Sequence, residues 1–164
     1  MATQNNNLSN VDVSGFKFML GKRIGIVVSE WNETITNGLK EGAVNTLISA
    51  GISPKNIIIH QVPGSFELPF GAKSIINSDL ELDAVICIGC IIKGETKHFD
   101  FVGQGVTYGI QKLNMEQDIP VIFCVLTDDN MEQSIARSGG KHGNKGDEAA
   151  VSALKIIQLK DKLN

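Results

Sequence analysis

Residues 84–99 read AVICIGCIIKGETKHF, and this stretch decides the predicted fold. Its first part, residues 84–92, is apolar and rich in β-branched side chains, as in a strand that is buried on both faces of a parallel sheet. A glycine-containing turn follows, and residues 102–113 then place apolar side chains at helical spacing. The stretch therefore predicts a strand that leads through a short turn into a helix, with His98 at the start of the helix.

The turn in this stretch is also a candidate anion site. Backbone N–H groups at the start of a helix carry partial positive charge, which suits a phosphate group. An imidazole at His98, shortly after Gly94, can carry protons beside a bound anion. Most turns of this kind in α/β proteins only connect two elements, so the stretch alone leaves a connection and a site both open.

Three further apolar runs have the length of buried parallel strands: residues 23–29, 56–62 and 120–126. Segments with helical periodicity separate the strands. They predict helices over residues 35–50 (which Gly51 ends), 66–77, 102–113, 130–138 and 150–157. Because alternating strands and helices imply right-handed crossovers, we predict an α/β fold, a three-layer α/β/α sandwich around a four-stranded parallel sheet.

The composition is that of an ordinary globular protein, with 42% hydrophobic and 20% charged residues among 164. The net charge of −3 gives no basic footprint for nucleic acid, and no apolar run approaches the ~20 residues that cross a membrane. Residues 1–14 are rich in Asn, Ser and Thr, so we predict a flexible tail before a single domain over residues 15–164. Apolar residues alternate over 16–20, which allows an extra edge strand. Since no export signal pattern is present, we expect a cytoplasmic location.

The three cysteines do not form a metal-binding set. Cys87 and Cys90 have C-x-x-C spacing, but side chains three apart on a strand point to opposite faces of the sheet. Cys124 is the only other cysteine, so a four-ligand zinc set is missing. We interpret all three as small buried residues and predict no metal site.

Ligands of such sheets bind at the carboxyl ends of the strands, so the loops at those ends are the places to look for a site. In the loop after the first strand, the ring of Trp31 can stack on a flat heterocycle or can anchor the next helix. The residue alone does not decide between these interpretations. The loop carries neither the dinucleotide-binding nor the P-loop fingerprint, which excludes those phosphate sites.

Residues 63–64, Pro-Gly, force a turn after the second strand, and residues 65–67 then open a helix. The free N–H groups of this helix start, at Ser65 and Phe66, can hold carbonyl groups of a planar ring, with Glu67 available for hydroxyl groups. From the pattern alone a simpler interpretation is favoured, in which Ser65 caps the helix and Glu67 is a favourable charge in its first turn.

Glycines and basic side chains alternate over residues 137–148, after the fourth strand, and we predict an irregular loop here. The guanidinium of Arg137 has the fork geometry to clamp a phosphate. The ammonium group of Lys145 can contact an anion or a carbonyl oxygen. The alternative is a flexible basic bend on the surface.

The motifs at residues 63–67, 92–100 and 143–146, with Arg137 ahead of the last, together resemble the lumazine synthase family. The resemblance covers nearly the whole chain from residue 15 onward and implies a flavodoxin-like fold. Members of the family condense 5-amino-6-ribitylamino-2,4(1H,3H)-pyrimidinedione with 3,4-dihydroxy-2-butanone 4-phosphate. They release phosphate and water and form 6,7-dimethyl-8-ribityllumazine in the penultimate step of riboflavin biosynthesis, without a metal or an organic cofactor.

The resemblance also implies roles for individual residues. His98 corresponds to the proposed proton-transfer residue. The phosphate of the butanone substrate is held by the N–H group of Glu95 and by Thr96 and Arg137. The residues implied around the pyrimidinedione and its ribityl chain are Trp31, Ser65, Phe66, Glu67, Cys90, Ile91, Ile92, Phe123 and Lys145.

In this family each site lies between two subunits of a pentamer, so the resemblance implies that Phe123, Arg137 and Lys145 reach the site of a neighbouring subunit. Some members stop at pentamers or decamers, and others close twelve pentamers into a hollow shell. The short loop at residues 139–146 is similar to that of the shell formers, which favours a 60-subunit shell that can enclose riboflavin synthase. Two alternatives stay open: a non-catalytic module that binds a flavin or pterin-like ring, and a cage-forming structural protein.

Overall fold

The predicted parallel sheet is present in the structure, a computed structural model that describes residues 13, 15, 16 and 19–163. The strands are β1 (Ile24–Ser29), β2 (Ile57–Val62), β3 (Ala84–Ile92) and β4 (Val121–Asp128). They form one sheet in the order β2-β1-β3-β4, and each neighbouring pair is parallel. β4 extends two residues past its predicted end because it stays paired with β3 as far as Ile92 and Asp128.

Helices cover both faces of the sheet. They are α1 (Glu33–Ser49), α2 (Leu68–Ile76), α3 (His98–Glu116), α4 (Met131–Arg137) and α5 (Lys145–Leu163). The apolar sides of α1 and α5 pack on one face, and those of α2 and α3 pack on the other. This confirms the three-layer α/β/α sandwich of the flavodoxin-like type. Within the described part of the chain, none of these helices combines the length and the apolar character needed to span a membrane.

The apolar periodicity explains why α1 forms and where it ends. Ile35, Leu39, Ala43 and Leu47 are spaced by four residues and are buried against the sheet. Gly51 follows the helix with a φ of 94°, and its N–H group bonds back to the last turn. Glycine takes this left-handed conformation without a steric penalty, and the predicted helix end is confirmed.

The prediction of an irregular loop over residues 137–148 is wrong. The segment contains a two-stranded antiparallel ribbon, β5 (Ser138–Gly140) and β6 (Gly143–Asn144). Gly139 and Gly143 take φ angles of 115° and 80°, which lets the chain reverse tightly and pair with itself. α5 then begins directly after β6, earlier than predicted, so the segment is a short ribbon between two helices.

The cysteine prediction is confirmed for burial and for direction. Cys87 lies in the core beneath α2 and α3, whereas Cys90 and Cys124 lie in the core beneath α1 and α5. Cys87 and Cys90 therefore face opposite sides of the sheet and cannot bind one ion together. Burial raises the pKa of each thiol. Among the described residues, no three or more His, Cys, Asp or Glu side chains are grouped to hold a metal.

The described residues include only part of the segment at the start of the chain for which predictions were made. Of the possible edge strand over residues 16–20, residues 17 and 18 lie outside the described residues, and 16, 19 and 20 are not in a strand. Phe16 and Met19 instead bury their side chains in the core beneath α1 and α5. The predicted tail, residues 1–14, lies outside the described residues apart from Val13.

Candidate active site

The carboxyl end of the sheet gathers most of the residues predicted for the site. Ser29 and Val62 are paired at the ends of β1 and β2, while β3 and β4 run further and end together at Ile92 and Asp128. The N–H group of Lys93 donates to the carbonyl of Asp128 over 3.0 Å and closes this end. The loops after β1 and β2 therefore lie beside the last residues of β3.

Trp31 lies in the loop after β1 and is 73% exposed. The loop is tied to the end of β2 and the turn after it, because the N–H groups of Glu30 and Trp31 donate to the carbonyls of Val62 and Pro63 at 2.9 and 3.4 Å. A Cβ atom on Gly64 would lie 3.5 Å from Trp31 Cδ1 and 3.0 Å from Glu67 Oε2. The indole ring and the Glu67 carboxylate thus flank one glycine turn. An indole this exposed does not anchor α1 within the subunit.

Asn32 ties the same loop to β3 and was not predicted from the sequence. Its Nδ2 donates to the carbonyl oxygen of Cys90 over 3.0 Å. Its backbone is left-handed, with a φ of 61°, a conformation that asparagine accepts more readily than most residues with a side chain. Asn32 therefore holds Trp31 beside the end of β3 and fixes one of the carbonyl groups predicted to line the pyrimidinedione.

Two substitutions of Asn32 separate the contribution of its side-chain hydrogen bond from that of its left-handed backbone. Asn32→Ala removes the hydrogen bond and strains the left-handed backbone, so we expect the free energy of unfolding to fall by about 2 kcal/mol. Asn32→Gly removes the hydrogen bond without the strain, so a fall of about 1 kcal/mol is expected. Denaturant unfolding of both variants provides the measurement. Equal losses, or a larger loss for glycine, would contradict the backbone part of this explanation.

Ser65 does not cap a helix, so the simpler interpretation of this residue is wrong. Ser65–Glu67 form a 3₁₀ turn whose cap position is Gly64, and α2 follows directly with no side-chain cap. Ser65 is buried, and among the described residues neither its Oγ nor that of Ser29 has a hydrogen-bond partner. A Cβ atom on Gly89 of β3 would approach Ser65 Oγ to 2.6 Å. The glycine thus makes room for an unpaired hydroxyl near the end of the sheet.

Phe66 is exposed and lies against α3. A Cβ atom on Gly105 would come within 2.7 Å of the Phe66 ring, so the ring can rest on the helix only because that position is glycine. The side chain nevertheless remains 59% exposed. With Trp31 and Glu67, it gives this end of the sheet two accessible aromatic rings and a carboxylate. Such a set suits a flat ring that carries hydroxyl groups.

The turn after β3 has the geometry expected of an anion site. α3 begins at His98, as predicted, and residues 94–98 are exposed. The hydroxyl of Thr96 accepts a hydrogen bond from the N–H group of His98 over 3.3 Å. The positive end of a 19-residue helix therefore lies at the same end of the sheet as Trp31, with an accessible imidazole on its first turn.

The remaining predicted residues line a groove along the open edge of β4, which Arg137 reaches at the carboxyl end of the strand, beside Asp128. Phe123, Arg137 and Lys145 line one groove of about 480 Å³ beside this strand. Phe123 pairs with Cys87, while the strand continues to residue 128. At the usual rise of a strand, this places Phe123 roughly 16 Å from the carboxyl end. β4 is the terminal strand of the described sheet, so its outer edge is open to another subunit.

Both cations of this groove have defined partners. Lys145 Nζ donates to the two carboxylate oxygens of Glu148, at 2.8 and 2.7 Å. Arg137 Nη1 donates to the carbonyl of Gln133 over 2.8 Å, and its Nε lies 3.8 Å from Asp128 Oδ1. Arg137 is therefore held by a carboxylate that sequence reasoning did not single out.

The structure thus brings the predicted residues together in two sets. The set at the ends of β1 and β3 is Trp31, Ser65, Phe66, Glu67, Cys90, Ile91, Ile92, Glu95, Thr96 and His98. The set along β4 is Phe123, Arg137 and Lys145. Sequence reasoning missed Asn32, Gly89 and Gly105, because the role of each depends on a neighbour that is distant along the chain.

The chain is similar over nearly its whole length to proteins of one family. The family profile of 6,7-dimethyl-8-ribityllumazine synthase matches residues 21–161. A 6,7-dimethyl-8-ribityllumazine synthase of Christiangramia forsetii is 58% identical over 160 residues, which cover 98% of this chain and 95% of the relative. Proteins of the same name from Flavobacterium johnsoniae and Parabacteroides distasonis are 56% and 54% identical, covering 99% and 97% of this chain and 85% and 99% of the relatives. The chain belongs to the 6,7-dimethyl-8-ribityllumazine synthase family, transferases that perform a condensation step of riboflavin biosynthesis.

Proposed function

We propose a division of roles among the residues of this chain for the reaction of its family. The chain condenses 5-amino-6-ribitylamino-2,4(1H,3H)-pyrimidinedione with 3,4-dihydroxy-2-butanone 4-phosphate and forms 6,7-dimethyl-8-ribityllumazine, phosphate and water. A non-catalytic ring-binding module is not favoured, because relatives that match over nearly the full chain are named as synthases. The observation that best supports the roles is the grouping of Trp31, Glu67 and residues 94–98 at one end of the sheet.

The set at the ends of β1 and β3 suits the pyrimidinedione. The exposed indole of Trp31 stacks on the flat ring. Glu67 accepts hydrogen bonds from hydroxyl groups of the ribityl chain, and the unpaired hydroxyl of Ser65 gains a partner. Backbone groups of β3 line the ring, at Cys90, Ile91 and Ile92. Phe66 forms one wall, and Phe123 and Lys145 add a wall and a polar contact from the groove along β4.

The turn before α3 suits the phosphate of the butanone substrate. The positive end of the helix and the N–H group of Glu95 favour an anion there, and the hydroxyl of Thr96 lies in the same turn. The side chain of Glu95 is exposed, so its charge stays in water while its N–H group binds. Arg137 clamps the phosphate oxygens with its fork. Since it belongs to the set along β4, it reaches this turn of a neighbouring subunit.

The sites lie between the subunits of a pentamer in this proposal. The residues along β4 of one subunit then complete the site at the carboxyl end of the next. A row of exposed apolar side chains on α3, seven residues apart, supports a contact between subunits: Phe101, Tyr108 and Met115 are 68%, 72% and 81% exposed. Water-exposed apolar side chains in such a row are more stable when a partner covers them.

The larger assembly that we propose is a 60-subunit shell that can enclose riboflavin synthase, since the β5–β6 ribbon keeps the segment before α5 short. Light scattering coupled to size exclusion separates a pentamer from a decamer and from a shell, and electron microscopy shows whether a shell is hollow. A stable monomer at assay concentration would contradict shared sites. A cytoplasmic location and a single domain over residues 15–164 remain parts of the proposal.

The reaction needs positioning more than it needs an activated nucleophile. The substrate amine is already nucleophilic, so no activated serine or cysteine is required. Holding two substrates in the right orientation supplies most of the acceleration. Protons must still move during imine formation, phosphate elimination and ring closure, and the exposed imidazole of His98 is suited to that transfer.

His98→Ala is expected to lower kcat modestly, by about tenfold, because the orientation of the substrates is kept. The measurement is kcat at saturating concentrations of both substrates. His98→Asn should be as slow, since an amide can hold a substrate but cannot exchange protons in this way. His60→Ala removes an exposed histidine on β2 and is the matched control. An unchanged kcat in His98→Ala would contradict the proton-transfer role.

A direct assay tests the proposed function. The protein is mixed with both substrates, and lumazine absorbance and inorganic phosphate are followed together. We expect equimolar lumazine and phosphate, at a rate far above the uncatalysed background. Product formation at the background rate, with the pyrimidinedione still bound to the protein, would instead favour the non-catalytic module.

A further inference from the structure

We propose that Asp128 is a positioning residue that holds the guanidinium of Arg137 ready for the phosphate of the butanone substrate. The inference rests on the phosphate role proposed above for Arg137. Asp128 is the last residue of β4 and is 8% exposed. It stands where α4, β4 and the end of β3 meet: its backbone pairs with β3, and its carboxylate contacts α4.

The carboxylate of Asp128 is fixed on one side and meets the arginine on the other. Oδ2 accepts a hydrogen bond from Ser134 Oγ over 2.8 Å, and Oδ1 lies 3.8 Å from Arg137 Nε. Ser134 and Arg137 are three residues apart on α4 and therefore share one face of the helix. One carboxylate thus contacts both side chains and constrains the direction that the arginine takes from the helix.

Ser134 is held in turn by Cys90. The Cys90 thiol lies 3.4 Å from Ser134 Oγ. Because burial raises the pKa of this thiol, it stays protonated and donates. The single proton of the serine hydroxyl is then directed to Asp128, whose Oδ2 accepts it. Cys90, Ser134 and Asp128 form a chain of hydrogen bonds that runs from β3 to the arginine.

The same geometry leaves Arg137 able to bind an anion. Nη1 donates to the carbonyl of Gln133, and Nη2 has no hydrogen-bond partner within the described part of the chain. A guanidinium carries several N–H donors, so those on Nη2 remain for a phosphate. At 3.8 Å the contact with Asp128 is a charge pairing rather than a two-pronged hydrogen bond. It therefore orients the guanidinium and leaves the N–H groups of Nη2 for the anion.

Asp128→Asn tests the positioning role, since it removes the charge and keeps the shape. We expect the KM for the butanone phosphate to rise roughly three- to tenfold, with kcat within about twofold and the KM for the pyrimidinedione unchanged. Asp129→Asn is the matched control, because that carboxylate is exposed and pairs with Lys93 at 3.7 Å. A fall in kcat with an unchanged KM in Asp128→Asn would overturn the role.

A double-mutant cycle separates this role from a purely structural one. In the Arg137→Ala background, Asp128→Asn should have no further effect on the KM for the butanone phosphate. An equal further rise would overturn the proposal, since Asp128 would then act on something other than the arginine. Ser134→Ala frees the carboxylate and should raise the same KM by a smaller factor. This second variant keeps the test available if Asp128→Asn does not fold.

The outcomes also distinguish this proposal from the proposed function. If Arg137→Ala left the KM for the butanone phosphate unchanged while lumazine still formed, the phosphate role of Arg137 would be wrong, and the positioning role would fall with it. If Arg137→Ala raised that KM and neither Asp128→Asn nor Ser134→Ala did, only the positioning role would be wrong.

Discussion

Arg137→Ala is expected to lower kcat/KM for 3,4-dihydroxy-2-butanone 4-phosphate by about a hundredfold. The substitution removes charge-assisted hydrogen bonds to the phosphate, each worth about 1.5–3 kcal/mol, and a hundredfold corresponds to about 2.7 kcal/mol. The loss should fall mainly on the KM for this substrate, because the proposed pyrimidinedione contacts centre on Trp31 and Glu67. Steady-state kinetics with saturating pyrimidinedione provides the measurement.

Two variants control for charge and for geometry at Arg137. Arg137→Lys keeps the charge but loses the fork, so it should recover only part of the activity. Lys141→Ala removes an exposed cation of the same segment and should leave kcat/KM near the wild-type value. If Arg137→Ala proved harmless, the assigned phosphate site would be wrong. If Lys141→Ala lost as much, the general positive charge of the segment would matter rather than the fork.

Gly146→Ala should have the largest effect on stability, lowering the free energy of unfolding by about 3 kcal/mol. At this position α5 crosses α1 backbone to backbone: a Cβ atom would overlap the carbonyl oxygen of Leu39 and lie 3.0 Å from the N atom of Ala43. Main-chain atoms within a helix cannot swing aside, so the two helices must separate. The ~1 kcal/mol by which alanine normally favours a helix over glycine does not offset this.

Denaturant unfolding of the assembled protein measures this effect. Lys155→Ala changes an exposed position of the same helix and is the matched control, which should stay within about 0.5 kcal/mol of the wild type. Activity per folded subunit should change little in Lys155→Ala, because this exposed position lies outside the proposed site. Wild-type stability in Gly146→Ala would contradict the close contact between α1 and α5.

The strands could be predicted because burial on both faces makes each one an apolar run. β3 has its predicted bounds, residues 84–92, for this reason. The end of β4 could not be predicted, since Thr127 and Asp128 have the character of a polar turn and stay in the strand only by pairing with β3. The ribbon over residues 138–144 was missed because its glycine spacing permits both a loose loop and a tight reversal.

The candidate site also has a part that could be predicted from the sequence and a part that could not. Trp31 and the motifs at residues 63–67 and 92–98 could be found from the sequence, because each lies within one strand-end loop. The contacts that hold them could not be found, since Asn32 and Cys90 meet although they are 58 residues apart. A contact between such distant positions leaves no periodic signal in a single sequence. The binding roles of the motif residues stay predictions, which the kinetic variants above test.

A site built from two subunits is tested most directly by combining two defective variants in one assembly. Arg137→Ala disables the set along β4, and Glu67→Ala with His98→Ala disables the set at the ends of β1 and β3. The two chains are co-expressed in equal amounts and assemble at random. In about a quarter of the sites, both of the adjacent subunits that form the site then contribute their intact set. At butanone phosphate concentrations well below KM, where Arg137→Ala is nearly inactive, we therefore predict about a quarter of the wild-type activity. Activity no higher than the average of the two separate variants would contradict a shared site.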